Sequence, residues 1–362
     1  MNKIIYLFSI VLSGLLVTVV TSCSKDDNNQ SKKWDVGETP GTVFATLDNG
    51  ILTISGSGEI INYYDGWHER PPWASVSNSI TGFVIKGDIT DFPREFMQSN
   101  PHLTTVSLEG SMIEIIDSQS FSDCENLTSI TLPDCLKSIG WSIFANCKSL
   151  TSITITDGVT RIEANAFQDC ESLSSITIPN SVTYIGPRAF VRCGGLTSVI
   201  IGNEVTTIER EAFEDCENIT SIVIPSSVKF IGQNAFSGCS SLSSLTIPNV
   251  EWIHNRAFEN CSSLTTVTIL DSLQTIGQYA FNGCSSLTSV TIPASVTEIQ
   301  YWAFQDCESL SSFTVHWPTP LPVTHLAFLN VNTSDVTLYV PAGTEELYKS
   351  APIWRDFNIV AL

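Results

Sequence analysis

The chain has 362 residues, 43% of them hydrophobic and 15% charged, with 37 acidic against 17 basic side chains and a formal net charge of −20 at pH 7. So acidic a chain is a poor partner for nucleic acid or an anionic membrane surface, both of which require basic patches.

Met1-Asn2-Lys3 is a basic start, and Ile4 to Val20 is an almost unbroken apolar run that ends in Thr21-Ser22-Cys23. This pattern is that of a secretion signal over residues 1–22, and the run is at the short limit for a membrane span of ~20 residues. Residues 23–33 are otherwise polar, cannot pack, and read as a flexible tether. From 34 to 79 no regular repeat is visible. Leu47 to Gly58 reads as a hairpin with Asn49-Gly50 at its turn. Tyr63, Tyr64, Trp67, Pro71, Pro72 and Trp73 form an aromatic and proline cluster. This region is expected to be a β cap over the open end of the segment that begins at residue 80.

Residues 80–328 carry a period of about 23. Phe121, Phe144, Phe167, Phe190, Phe213, Phe236, Phe258, Phe281 and Phe304 form one column, and a cysteine stands three residues after each. Self-similarity at this period means a solenoid. After each Cys come an apolar residue and then an alternating pair such as Ile222 and Ile224, which reads as a short strand with one buried face. Pro133, Pro179, Pro225, Pro248 and Pro293 end the strand, because proline cannot extend the ladder. A second apolar pair comes next, and Ala-Phe is expected to make a short helical turn. The residue before Cys is Asp, Asn or Gly in every regular coil but that of Arg192, which predicts a left-handed backbone there. Of 11 cysteines nine stand in this column, and they read as buried free thiols although adjacent coils approach disulfide range, ~4.4–6.8 Å between Cα atoms. The absence of Cys-x-x-Cys argues against zinc.

Beyond His316 the pattern dissolves into Trp317-Pro318-Thr319-Pro320-Leu321-Pro322, with Phe328 marking a last degenerate coil. Residues 329–362 are expected to cap the far end: a strand over 335–340, a helix start with Thr344 as its N-cap, and Trp354 and Phe357 closing the core.

The unit Ala-Phe-x-x-Cys-x-x-Leu-x-x-Ile-x-Ile-Pro-x-x-Val-x-x-Ile-Gly, as at Ala166 to Gly186, resembles the BspA-like leucine-rich repeat of bacterial surface proteins. The resemblance implies an α/β repeat fold: a right-handed solenoid, without catalysis, capped at both ends. Some members of that family are adhesins, but it has no fixed binding motif to transfer. Val20-Thr21-Ser22-Cys23 resembles a bacterial lipobox, which implies cleavage before Cys23 and lipid attachment to it, the acyl chains then anchoring the protein. Cys23-Ser24-Lys25-Asp26-Asp27 resembles the acidic export signal of Bacteroidetes lipoproteins, which implies exposure on the outer face of the outer membrane.

The chemistry-bearing residues are sparse. No two histidines pair at i, i+4, and neither Gly-x-Ser-x-Gly nor a P-loop is present. Asp-Cys-Glu at 123–125, 169–171, 215–217 and 306–308 reads as a solvated acidic ridge. No catalytic residue, metal or cofactor is therefore expected. One irregularity points to a ligand. The position before the second apolar Ile is mostly polar, yet it is aromatic at Tyr184, Phe230 and Trp252. Tyr279 and Trp302, just before Ala-Phe, make another pair. Such a strip is a candidate surface for a protein or glycan ligand. The expected protein is a non-enzymatic, lipid-anchored surface binder; the other reading is an accessory lipoprotein of a nutrient-capture complex. The sequence leaves the oligomeric state open.

Overall fold

The computed structural model describes residues 31–63 and 70–362. Cys23, the apolar leader, most of the tether, Tyr64 and Trp67 lie outside the described residues. The rest is a parallel β-solenoid of about 12 turns.

Each coil contributes two short strands. The first strands, such as Ser175–Thr177, Ser198–Ile200 and Ser221–Ile222, pair in parallel with a strict one-coil register: Ile176 faces Val199, which faces Ile222. The second strands form one nine-stranded sheet, from Ile115–Ile116 to Glu298–Ile299, with Ile185, Ile208, Ile231 and Ile253 in line. Leucine, isoleucine, phenylalanine and cysteine columns fill the space between them. The Phe column is fully buried, and consecutive rings from Phe121 to Phe304 stack at 5.1–5.9 Å. Burial of each ring contributes roughly 1.5–3 kcal/mol, and each stacked pair about 0.5–1.5 kcal/mol more.

The expected helical turn is absent; the Ala-Phe side is a chain of tight turns. The reason lies in the backbone. The residue two before each Phe and the residue two after it are both left-handed, as at Asn165 (φ 56) and Asp169 (φ 57). That geometry turns alternate N–H groups along the solenoid axis. Asn165, Phe167 and Asp169 donate to Pro187, Ala189 and Val191 of the next coil, while Gln168 and Cys170 donate locally to Asn165 and Phe167. A helix would direct its N–H groups within itself and leave the neighbouring coil unbonded. The Asp, Asn or Gly before each Cys is left-handed as expected; so is Arg192 (φ 56), held by its place in the stack.

The column cysteines are free and buried. From Cys147 onward each Sγ donates to the carbonyl of the previous coil's Phe, for example Cys170 to Phe144 at 3.2 Å and Cys193 to Phe167 at 3.0 Å, while Cys124 donates to Met97 O at 3.2 Å. Burial pushes the Cys124 thiol up to about 12 and raises those of Cys147, Cys170 and Cys216 well above the usual value.

At the N-terminal end Val43–Asp48 and Ile51–Gly58 form the expected hairpin, with Asn49 and Gly50 both left-handed. Trp73 lies against Phe96 at 5.1 Å, with Trp34 and Tyr63 around it. At the other end Trp354 and Phe357 cover Phe328, and Trp354 reaches Phe313. The strand there is Thr337–Val340, preceded by a 3-10 turn at Thr333–Asp335. Thr344 precedes the helix Glu345–Ser350 but does not cap it: its hydroxyl donates to the carbonyl of Pro341 at 2.7 Å. The proline-rich stretch occupies the place of a further second strand, and Trp317 Nε1 donates to Val296 O at 2.7 Å.

Candidate ligand-binding surface

On the second sheet the outward position of each strand forms a column: Ile115, Ser138, Arg161, Tyr184, Thr207, Phe230, Trp252, Thr275 and Glu298. Phe230 and Trp252 are direct register partners on adjacent strands. Trp252 is 54% exposed, whereas Phe230 is half-buried. His254, two residues on and facing the same side, bridges them, with ring centroids 4.6 Å from Phe230 and 5.7 Å from Trp252. Its Nε2 is buried and has no hydrogen-bond partner among the described residues. Burial lowers the His254 pKa and the Glu209 carboxylate opposes that shift, so Glu209 acts on the same cluster.

Tyr184 is set apart from this group. Thr207 lies between its strand and that of Phe230, and the Arg161 guanidinium covers its ring at 4.0 Å while pairing with Glu163 at 2.7 Å. Burial raises the Tyr184 phenol, and Glu209 adds to the effect.

The second pair sits at the corner that leads into the Phe column. Tyr279 and Trp302 stack at 4.9 Å with planes 9° apart, each on a left-handed residue (φ 59 and 63). Arg256 lies over Tyr279 at 5.2 Å, and half-exposed Tyr301 leans on Trp302 at 5.7 Å. The structure thus brings together Phe230 with Trp252 and Tyr279 with Trp302, and leaves Tyr184 separate. It adds His254, Tyr301 and the exposed Trp141, which the repeat pattern does not mark. A signal for His254 does exist, since alternation puts residue 254 on the face of residue 252.

Every second coil has a glycine two residues beyond this column: Gly140, Gly186, Gly232 and Gly277 alternate with Asp117, Glu163, Glu209, His254 and Gln300. A Cβ on Gly232 would stand 2.5 Å from Arg210 N and 2.6 Å from Glu209 C. The glycines let neighbouring coils close up beneath the larger side chains.

Part of the acidic ridge is partnered. Asp123 accepts from Asn146 at 2.7 Å, and Asp306 from Asn330 at 2.6 Å. Asp169 takes a two-pronged contact from Arg192 at 2.6 and 2.7 Å. Burial opposes the charge of Asp169, yet Arg192 and Gln168 hold its carboxyl below the usual value. Acids in this column are always separated by at least one Asn, Arg or Gly, so like charges are not stacked on adjacent coils.

These repeats match the family of BspA type leucine rich repeat regions in six copies, over residues 90–220 and 206–332. The chain belongs to that family. Similar solved structures include a leucine-rich repeat protein of Bacteroides ovatus (21% identity, 90% of this chain and 99% of that one, TM-score 0.46). Another is a leucine rich cell surface protein of Faecalibacterium prausnitzii (24% identity, 93% and 100%, TM-score 0.45). A third is a leucine-rich repeat protein of Eubacterium ventriosum (20%, 83% and 92%, TM-score 0.46). No curated protein matches the chain. Leucine-rich solenoids are typically non-enzymatic binding scaffolds. Among the described residues, no helix is long and apolar enough to cross a membrane.

Proposed function

We propose that this protein is a cell-surface lipoprotein, anchored through Cys23, that holds a protein or glycan ligand on the aromatic side of its second sheet. The observation that carries the reading is Trp252, more than half exposed and in register with Phe230 on a face whose other outward positions are mostly polar. An exposed indole costs solubility and is the side chain most often found at binding hot spots. Around it the rigid stacked coils preorganise the surface, so little ordering opposes association. The leader, the polar tether and the acidic residues after Cys23 support delivery to the outer face.

The test uses the full chain against immobilised matrix proteins and a glycan array. Trp252→Ala combined with Phe230→Ala is expected to weaken capture at least about tenfold, the equivalent of ~1.4 kcal/mol. Thermal stability should move little, because both rings stand on the outer side of the sheet. A lowered melting temperature with capture intact would assign the pair to packing instead.

A further inference from the structure

A second candidate site lies on the other sheet. The first strands do not form one continuous ladder: pairing stops between Ser152–Ile153 and Ser175–Thr177, resumes from Ser175–Thr177 through Ser198–Ile200 to Ser221–Ile222, and stops again before Ser244–Ile247. Across the first of these breaks and the paired strands that follow it lies a hollow of about 680 Å³, within the usual range for small-ligand sites. Its floor carries Thr154, Thr177 and Ile200, one outward residue from each of three coils, and its side carries Asp157, Asn180 and Asn203, again one per coil.

The threonine hydroxyls here are free. In the neighbouring column, the Thr151, Ser174 and Thr197 hydroxyls donate to carbonyls of the preceding coil at 3.1–3.4 Å. The Thr154 and Thr177 hydroxyls have no such partner among the described residues, and both are exposed. Asn180 Oδ1 accepts from Asn203 N at 2.8 Å, which fixes the Asn180 side chain and leaves its amide N–H₂ pointing out of the pairing. Ile200 is 59% exposed and Val223, one coil on, 78%.

The chemistry of the face is selective. From Ser129 to Thr314 its outward strand positions carry no charge, in a chain whose net charge is −20. Asp157 is the sole ionisable group lining the hollow, and no Trp, Tyr or Arg lines it. Those three are the usual anchors of a protein interface. What remains is a row of hydroxyls, two amides and one carboxylate beside exposed methyl groups. A neutral sugar ring presents the complement: hydroxyls that donate and accept, and C–H faces that pack on methyls. We infer that this hollow is a subsite for a neutral oligosaccharide running across successive coils. The inference rests on the reading of the chain as a binding scaffold, but not on the aromatic strip.

The experiment measures binding of the full chain to neutral β-1,4-linked gluco- and xylo-oligosaccharides, β-1,3-gluco-oligosaccharide and α-1,6-manno-oligosaccharide, with oligogalacturonate as the charged counterpart. Asn180→Ala with Asn203→Ala, and separately Ile200→Asp, are compared with Trp252→Ala/Phe230→Ala; all the altered groove positions are exposed, and circular dichroism checks their folding. At least one neutral oligosaccharide is expected to bind, with a Kd raised about tenfold or more by each groove variant and unchanged by the aromatic variant. Binding lost only with the aromatic variant would overturn the groove and leave the aromatic strip as the site. Preference for oligogalacturonate, or no binding of any neutral oligosaccharide, would overturn the inference. Capture of a protein on the aromatic strip would in that case still stand.

Discussion

Phe213→Ala is expected to lower the free energy of unfolding by about 3–5 kcal/mol, the cost of emptying a buried phenylalanine site. Phe213 has no exposure, and its ring stacks on Phe190 at 5.1 Å and on Phe236 at 5.3 Å. Its neighbours cannot collapse into the space, because each coil is pinned by backbone bonds on both sides: Phe213 N donates to Ala235 O, and Phe190 N to Ala212 O. A solenoid's stability is a sum of nearest-neighbour interfaces, so a gap in mid-column weakens two of them at once. Chemical denaturation monitored by circular dichroism measures the loss. A change below about 1 kcal/mol would mean that the column does not bear on stability in the way its stacking implies.

Gly232→Ala is the second large effect, expected to destabilise by roughly 1–3 kcal/mol through overpacking. The added methyl meets backbone atoms of the preceding coil at 2.5–2.9 Å, and backbone cannot rotate away as a side-chain tip can. Glu209→Ala is the control. It occupies the same column one coil earlier, already carries a Cβ, and removing its carboxylate leaves that spacing intact. Near-equal losses for the two variants would show that the alternating glycines are not what sets the approach of the coils.

The architecture is legible because its signal repeats. Nine copies of Phe-x-x-Cys fix the register, and the register alone places Phe230 beside Trp252 and Tyr279 beside Trp302. The Ala-Phe segment reads as helical and is not, for a physical reason. Its composition suits a helix, but its N–H groups are needed by the next coil, and two left-handed residues per turn deliver them there. The first of those positions carries Asn only at Asn165 and Asn234, and elsewhere residues such as Gln119, Arg188, Glu211, Tyr279 and Trp302, so no consistent residue preference announces it. Stacking imposes that conformation, against an intrinsic cost of roughly 1–2 kcal/mol per residue. Thr344 fails as a cap for a related reason, since its hydroxyl is held by the preceding turn. The hollow beside Asn180 lies next to a break in strand pairing, and nothing in the residues at 152–155 marks that break.

The fold depends on columns that stay aligned from coil to coil, and excision tests this most directly. Removing residues 168–190 joins Phe167 to Val191 and deletes one 23-residue period, leaving every remaining column in line. This shortened chain is expected to fold, with cooperative melting and a parallel-sheet circular dichroism spectrum close to that of the full protein. Removing only residues 168–179 shifts the columns by half a coil and is expected to abolish cooperative melting. Equal stability of the two excised chains, or failure of the whole-period excision alone, would contradict column alignment as the basis of the fold.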